Sequence, residues 1–124
     1  MDAIVAGKIE TSDKFVAKAT YELTSDITVF EIPLGSNAIK IVSKFFPEFF
    51  TIVVFDLSKI SADKTYLTLG SAYIVTSNLY SSAWVYVSLT YYKSDGKLHI
   101  NPSLSGKTVE SNTYISRIEI GTLE

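Results

Sequence analysis

The chain offers few side chains that could carry out chemistry, and they do not form a known catalytic arrangement. His99 is the only histidine, and one imidazole cannot build a metal site or act in acid–base catalysis without an orienting partner. It lies between Leu98 and Ile100 on a predicted hairpin arm, so strand alternation points it away from their face. We therefore expect a surface histidine.

Asp56 has the most informative position among the carboxylates. It follows Ile52 and Val54 with period two, at the end of an apolar run, so it should share their face. Its expected role is to cap the loop at Ser58 or to pair with a lysine. Glycoside hydrolysis would need a second carboxylate across a cleft, and the sequence nominates none. A structural role is the expectation.

The serines and threonines have no context that would activate them as nucleophiles. The chain contains no Gly-x-Ser-x-Gly elbow, phosphate-binding loop, dinucleotide-binding motif or calcium loop, and it has no cysteine. We predict that it has no catalytic, cofactor-binding or metal-binding residues and that it is not an enzyme.

Length and composition indicate a single domain over residues 1–124, with residues 1–12 as an N-terminal arm or edge strand. The basic residues are scattered and the net charge is −2, which argues against nucleic-acid binding. Neither a signal peptide nor an apolar run long enough for a transmembrane helix is evident, so we expect no membrane insertion. Charged residues make up only 19%, below the usual share of about a quarter, which suggests a buried subunit interface or simply many β-branched residues.

Short runs rich in Val, Ile, Thr, Tyr and Phe, separated by turn residues, fill most of the chain. They predict about seven to nine short strands in an all-β fold, an antiparallel β-sandwich or jelly roll. Gly70 indicates a bulge inside a strand, and Asp95-Gly96 predicts a hairpin. Residues 101–107 are expected to form a loop.

Residues 83–92 carry the most unusual pattern. Their inner face by alternation is an ordinary apolar one, whereas the outer positions are Trp84, Tyr86, Ser88, Thr90 and Tyr92. An outer face that met only water would normally carry charges. Three explanations remain open, namely cover by another part of the chain, a subunit contact, or a ligand such as a sugar. Trp84, Tyr86 and Tyr92, together with Tyr80, are the candidate interface or ligand residues.

A second segment shows a similar lack of charge. Residues 49–57 are apolar on both faces, which predicts a strand buried on both sides. At its start, the four phenylalanines of residues 45–50 surround Pro47, and alternation prevents all four from facing one core. We therefore add Phe46 and Phe49 to the candidate contact residues.

The second half of the chain, residues 65–120, resembles small all-β proteins of bacteriophage virions. The resemblance lies in the stretch TYLTLGSAYIVTSNLYSSAWVYVSLTYYKSDGKLHINPSLSG and the closing TYISRIEI, which are rich in Ser, Thr and Tyr and poor in charge. It contains no diagnostic motif, so no site residues carry over. It implies a structural or attachment role in the virion, as a capsid decoration protein, head fibre or tail appendage made in the host cytoplasm.

Two functions follow as hypotheses. In the first, the chain is a non-enzymatic virion structural or accessory protein that needs no cofactor and assembles through its sandwich faces with copies of itself and other virion proteins. In the alternative, it is a carbohydrate-binding module or host-attachment domain that holds a surface glycan with its aromatic side chains.

Overall fold

The computed structural model describes residues 14–45, 50–75 and 84–123, which form two antiparallel sheets packed as a β-sandwich. The strands are β1 (Phe15–Glu22), β2 (Val29–Glu31), β3 (Ala38–Ser43), β4 (Phe50–Val54), β5 (Tyr66–Val75), β6 (Trp84–Tyr92), β7 (Lys97–Leu104), β8 (Lys107–Thr108) and β9 (Ile115–Leu123). The first sheet has the order β1-β9-β3-β4, and the second has the order β2-β7-β6-β5 with β8 paired to β7. The predicted all-β sandwich is confirmed.

Alternating side chains from both sheets fill the core between them. The first sheet contributes Ile39 and Ile41 from β3 and Ile118 and Ile120 from β9, all fully buried. The second sheet contributes fully or almost fully buried residues of β6 and β7: Val85, Val87, Leu89, Leu98 and Ile100. Because burying one such side chain contributes about 1.5–3 kcal/mol, this shared layer holds the two sheets together.

The remaining elements are short helices. A 3-10 helix spans Leu57–Lys59, within the polar connection between β4 and β5, and α1 spans Ser111–Tyr114 before β9. Neither helix approaches the length and apolar character that crossing a membrane would require, and the described residues contain no other helix.

The β6–β7 hairpin forms where Asp95-Gly96 predicted it. Tyr92 pairs with Lys97, and Gly96 adopts a φ of 67° while its N–H donates to the Tyr92 carbonyl at 2.9 Å. Gly70 also lies where a bulge was predicted, at a register shift between β5 and β6. A Cβ on Gly70 would lie 2.7 Å from Val53 Cγ1, so this glycine lets β4 and β5 approach closely.

The prediction of a loop over residues 101–107 is wrong. β7 continues to Leu104, and Ser105 and Gly106 then turn the chain into β8 with φ values of 53° and 83°. Two positive φ values in a two-residue turn are the type I′ arrangement, which matches strand twist. Proline has no N–H to donate to a neighbouring strand. Pro102 is tolerated because its backbone faces away from β6, and on that side its carbonyl accepts from the N–H of Val109, just after β8, at 3.0 Å.

The prediction that residues 49–57 are buried on both faces is also wrong. β4 is an edge strand of the first sheet, none of its five residues is fully buried, and Val54 is 58% exposed. The Lys40 ammonium of neighbouring β3 lies 4.5 Å from the centroid of the Phe50 ring. The face of β4 that carries Phe50 has no charged residue of its own, but the ammonium group of Lys40 on the adjacent strand partly covers it.

Candidate functional site

The outer side of the second sheet is the candidate site, and we call its β5 and β6 positions the aromatic face. β5 contributes Tyr66, Thr68, Ser71 and Tyr73, and β6 contributes Trp84, Tyr86, Ser88, Thr90 and Tyr92. None of these nine side chains is charged. The predicted alternation of β6 is confirmed, since Val85, Val87 and Leu89 point inward and have no exposure.

The rings of this face are open in the single chain. Tyr73 is 62% exposed, Tyr66 46% and Trp84 43%, and Tyr86 and Tyr92 are also exposed. These are high values for large side chains that point away from the core. An uncharged, ring-bearing outer face of this kind is typical of a surface that meets another molecule.

Register sets the rings of β5 directly beside those of β6. Tyr73 lies opposite Tyr86 with 5.3 Å between ring centroids, and Tyr66 lies opposite Tyr92 with 6.2 Å. Their ring planes are tilted by 58° and 48°. The paired tyrosine rings therefore contact each other at an angle and do not form one flat surface. Contact between the two strands also restricts their rotamers. Trp84 has no such ring partner among the described residues.

Charged residues lie beside this face, on β7, β2 and the hairpin loop, and they are paired. Lys97 Nζ lies 3.3 Å from a Glu31 carboxylate oxygen, and His99 Nε2 lies 2.8 Å from Asp95 Oδ2. The His99 ring also meets the Tyr92 ring edge-on, with 4.6 Å between centroids. The aromatic face is thus bordered on one side by a rim in which Lys97, Glu31 and Asp95 already have partners.

The expected surface position of His99 is confirmed, and the structure adds a partner that sequence reasoning missed. Its hydrogen bond is the main cause that lowers the pKa of the Asp95 carboxyl, and the Lys97 N–H bond to Asp95 Oδ1 lowers it further. The four-residue spacing across an Asp-Gly turn could have indicated this pair. Among the described residues, no hydroxyl is hydrogen-bonded to the imidazole.

The predicted site residues separate into three groups. Trp84, Tyr86 and Tyr92 lie together on the aromatic face, whereas Tyr80, Phe46 and Phe49 lie outside the described residues. The described chain neighbours of the last two are Phe45, which follows β3 and packs edge-on against Tyr114 with 6.3 Å between ring centroids, and Phe50 of β4, which lies under Lys40.

Tyr66 and Tyr73 belong to the aromatic face but were not predicted as site residues. Both lie in the segment that was predicted as a strand, but the bulge at Gly70 changes the phase of the alternation between them. Only the pairing of β5 with β6 reveals that they share a face.

Asp56 has the predicted capping role. Its Oδ1 accepts hydrogen bonds from Ser58 N–H at 3.0 Å and from Ser58 Oγ at 2.7 Å. These bonds, the side-chain one first, hold the pKa of the Asp56 carboxyl below its usual range. A shallow cleft of about 200 Å³ lies nearby, lined by Asp56, Lys59 and residues of β4 and β5. Asp56 is the one carboxylate among the described residues that line this cleft, and it already caps a turn.

No protein-family model, curated protein or solved structure matches this chain. The function of the candidate site therefore has to be argued from its own geometry. In the described ranges, no group of three His, Asp or Glu side chains lies close enough to hold a metal ion. What the site offers is a neutral, partly apolar surface with hydroxyl groups, which suits binding by contact.

Proposed function

We propose that this chain is a non-enzymatic structural or accessory protein of a virion, which docks on other virion proteins through the aromatic face. The observation that carries the proposal is the set of five exposed rings at outer positions of β5 and β6, with no charge among the nine side chains of that face. The diffuse resemblance of residues 65–120 to phage virion proteins supplies the setting, as a capsid decoration protein, head fibre or tail appendage.

The size of the face supports a protein partner. Nine residues of β6 extend about 30 Å, and four strands spaced about 4.8 Å apart make the sheet about 19 Å wide. The flat footprint of this whole sheet, which is the aromatic face together with its rim on β7 and β2, is then roughly 570 Å². Its accessible area is larger because side chains project from it, and a standard interface buries about 800 Å² on each partner. Small-molecule sites are instead concave and enclose most of their ligand, whereas the five rings of the aromatic face are all exposed.

The chemistry of the face also favours a protein surface. Tyr and Trp are enriched at the centres of interfaces and charged residues are depleted there, while the rim is polar. The same order is present here, with rings on β5 and β6 and the ion pair Lys97–Glu31 at the side. Tilted ring pairs suit interdigitation with side chains of a partner better than stacking on flat sugar rings.

Rebinding to particles tests this proposal. Particles purified by density gradient from the cells that naturally make the protein are stripped of it and then incubated with tagged purified chain. We expect the wild-type chain to band with the particles and the double variant Trp84→Ser, Tyr86→Ser to bind at least about tenfold more weakly, because loss of two of the five exposed rings should cost at least about 1.4 kcal/mol.

The control is Val54→Ser, which removes an exposed apolar side chain from the first sheet and should bind like the wild type. Circular dichroism checks that all variants are folded. The proposal is wrong if the protein is absent from purified particles and does not bind them, or if the control variant loses binding as much as the double variant does.

Carbohydrate binding is the second candidate, and Trp84 is the observation that favours it. This ring is exposed and has no ring neighbour in the described part of the chain, so its face is available for a sugar. A glycan array probed with wild type, Trp84→Ala and Trp84→Phe tests it. Binding that Trp84→Ala abolishes and Trp84→Phe partly keeps would support a sugar site. If the wild type binds no glycan, or if binding survives in Trp84→Ala, this candidate is excluded.

A further inference from the structure

The outer edge of β5 is a second surface, distinct from the aromatic face. β5 is the last strand of the second sheet and spans ten residues, Tyr66–Val75. Its sequence, YLTLGSAYIV, contains no charged residue and no proline. Among the described residues no strand pairs with it on the side away from β6.

The hydrogen-bond pattern shows which backbone groups point outward. In an antiparallel ladder the N–H and C=O of one residue point to the same neighbour, and successive residues alternate. Lys93 N–H donates to Thr65 O at 2.9 Å, and Gly96 N–H donates to Tyr92 O at 2.9 Å. Odd-numbered residues of β6 therefore bond to β5 and even-numbered ones to β7.

Every residue of β5 that lies opposite an even-numbered residue of β6 thereby points its backbone groups toward the edge, and beyond the bulge these include Ser71 and Tyr73. Ser71 lies opposite Ser88, and Tyr73 lies opposite Tyr86. Since Ser88 and Tyr86 bond to β7, the N–H and C=O groups of Ser71 and Tyr73 point away from the sheet. This part of the strand follows the bulge at Gly70 and is regular through Val75.

Other edge strands of the sandwich have protection that β5 lacks. Edges are normally blunted by short length, charge, proline or bulges, because an open edge pairs with other chains. β1 carries Lys18, Glu22 and a bulge; β2 has three residues, and β4 has five. In β5 the bulge at Gly70 is the only one of these protective features. Among the described residues, no strand pairs with Ser71–Val75 on the side away from β6.

We infer that β5 pairs with β5 of a second copy of this chain, antiparallel about a two-fold axis near Tyr73. The partner is a second copy because an antiparallel edge offers donors and acceptors that match those of its own symmetry mate. The lack of charge on β5 removes the like-charge repulsion that a symmetric contact would otherwise create. This inference does not depend on the proposed function.

Such pairing would join the five-stranded second sheets of both copies into one ten-stranded sheet. The two aromatic faces would then lie side by side on the same surface, with the two Tyr73 rings adjacent at the seam. Tyr73 is the most exposed of the five rings in a single chain, and the symmetric contact would cover part of it. The combined surface would present twice the docking area of one chain.

Sedimentation equilibrium of the full chain tests the inference. We expect a mass of twice 13.7 kDa for the wild type. Tyr73→Lys would place two ammonium groups at the axis and should weaken the dimer about tenfold or more, equivalent to at least 1.4 kcal/mol. Tyr86→Lys is the matched control, since it adds the same charge to the same face but on a strand inside the sheet, and should leave the dimer unchanged.

A disulfide measurement tests the contact directly and does not depend on a charged variant. The chain has no native cysteine, so Tyr73→Cys under oxidising conditions should form a dimer linked across the axis, because paired strands bring such residues within disulfide distance. Tyr86→Cys should not. A monomeric wild type, or equal loss of the dimer in Tyr73→Lys and Tyr86→Lys, would overturn the edge contact. If the wild type is a monomer but still binds particles, the edge contact is wrong and the proposed function is still supported.

Discussion

At the scale of single residues, two aspartates stabilise turns through the same type of contact. Asp56 accepts from the N–H and hydroxyl of Ser58, and Asp95 accepts from the Lys97 N–H and from His99. Both carboxyl groups have pKa values below the usual range, mainly because side-chain hydrogen bonds favour the charged form. Because these hydrogen bonds hold the turns in their folded geometry, both aspartates contribute to stability.

The stability of the protein should therefore fall in acid through these two groups. A carboxyl whose pKa is lower in the folded state contributes stability above its unfolded pKa of about 3.9, and this contribution is lost as the pH falls through the folded pKa. We expect Asp56→Asn and Asp95→Asn each to lower the melting temperature near pH 6 and to show a smaller further loss below pH 4 than the wild type.

Thermal unfolding followed by circular dichroism between pH 2 and 7 measures this difference. Asp63→Asn serves as the control, because Asp63 has no hydrogen bond or ion pair among the described residues. An acid limb that is unchanged in both Asp56→Asn and Asp95→Asn would contradict the assignment.

At the scale of elements, the sequence predicted those strands whose pattern depends on local geometry alone. Alternation over 83–92 and the Asp95-Gly96 turn led directly to β6 and the hairpin. The pattern over residues 49–57 predicted burial on both faces, and this was wrong. The residues of one strand do not show that Lys40 of the neighbouring strand lies over Phe50. The loop prediction over residues 101–107 follows from their Pro, Ser and Gly content, which does not show that β7 pairs with β8 across Ser105-Gly106.

The turn between β7 and β8 should be improved by one substitution. Ser105 has a φ of 53°, a region that costs most L-residues energy but that asparagine adopts readily. We expect Ser105→Asn to stabilise the protein by about 0.5–1 kcal/mol, part of the left-handed penalty. Urea unfolding measures the change. Ser94→Asn, in the other hairpin loop, should give no gain, and an equal effect of the two would refute the turn-based explanation.

The pairing of β1 with β9 depends on the absence of a side chain at Gly121. A Cβ there would lie 1.9 Å from the Val16 carbonyl oxygen, and this backbone atom can move only if β1 moves. We expect Gly121→Ala to destabilise the protein by about 2–4 kcal/mol.

Gly106→Ala provides the comparison for that variant. Gly106 has a φ of 83° but open space around its missing side chain, so only the backbone penalty of about 1 kcal/mol applies. Equal losses in the two variants, measured by urea unfolding, would show that β1 does not constrain Gly121.

At the scale of the whole molecule, the arrangement of strands decides what the surface can do, and it could not be predicted from the sequence. The all-β class follows from composition and spacing, but the sheet order does not. Tyr66 and Tyr73 join Trp84 and Tyr86 on one face only because β5 pairs with β6. The open edge of β5 is likewise a property of the order β2-β7-β6-β5.

Both sheets share one core, so they should unfold together. Ile118 of the first sheet is fully buried, and Ile118→Ala should cost about 2–5 kcal/mol. Trp84, the only tryptophan, reports from the second sheet. We expect its fluorescence and the far-ultraviolet circular dichroism to shift to the same lower urea midpoint in Ile118→Ala. Separate midpoints would mean that the sheets unfold independently.

The first and last strands of the described chain are neighbours, and this makes the domain suitable for circular permutation. Phe15 pairs with Leu123, so a short linker could join β9 to β1 without crossing the sandwich. The Ser105–Gly106 turn, at the far end of a surface hairpin, is the natural place to open new termini. Such a permutant should keep the core, the aromatic face and the β5 edge. Its new chain termini, where a tag or a second protein could be fused, would lie on the second sheet instead of the first.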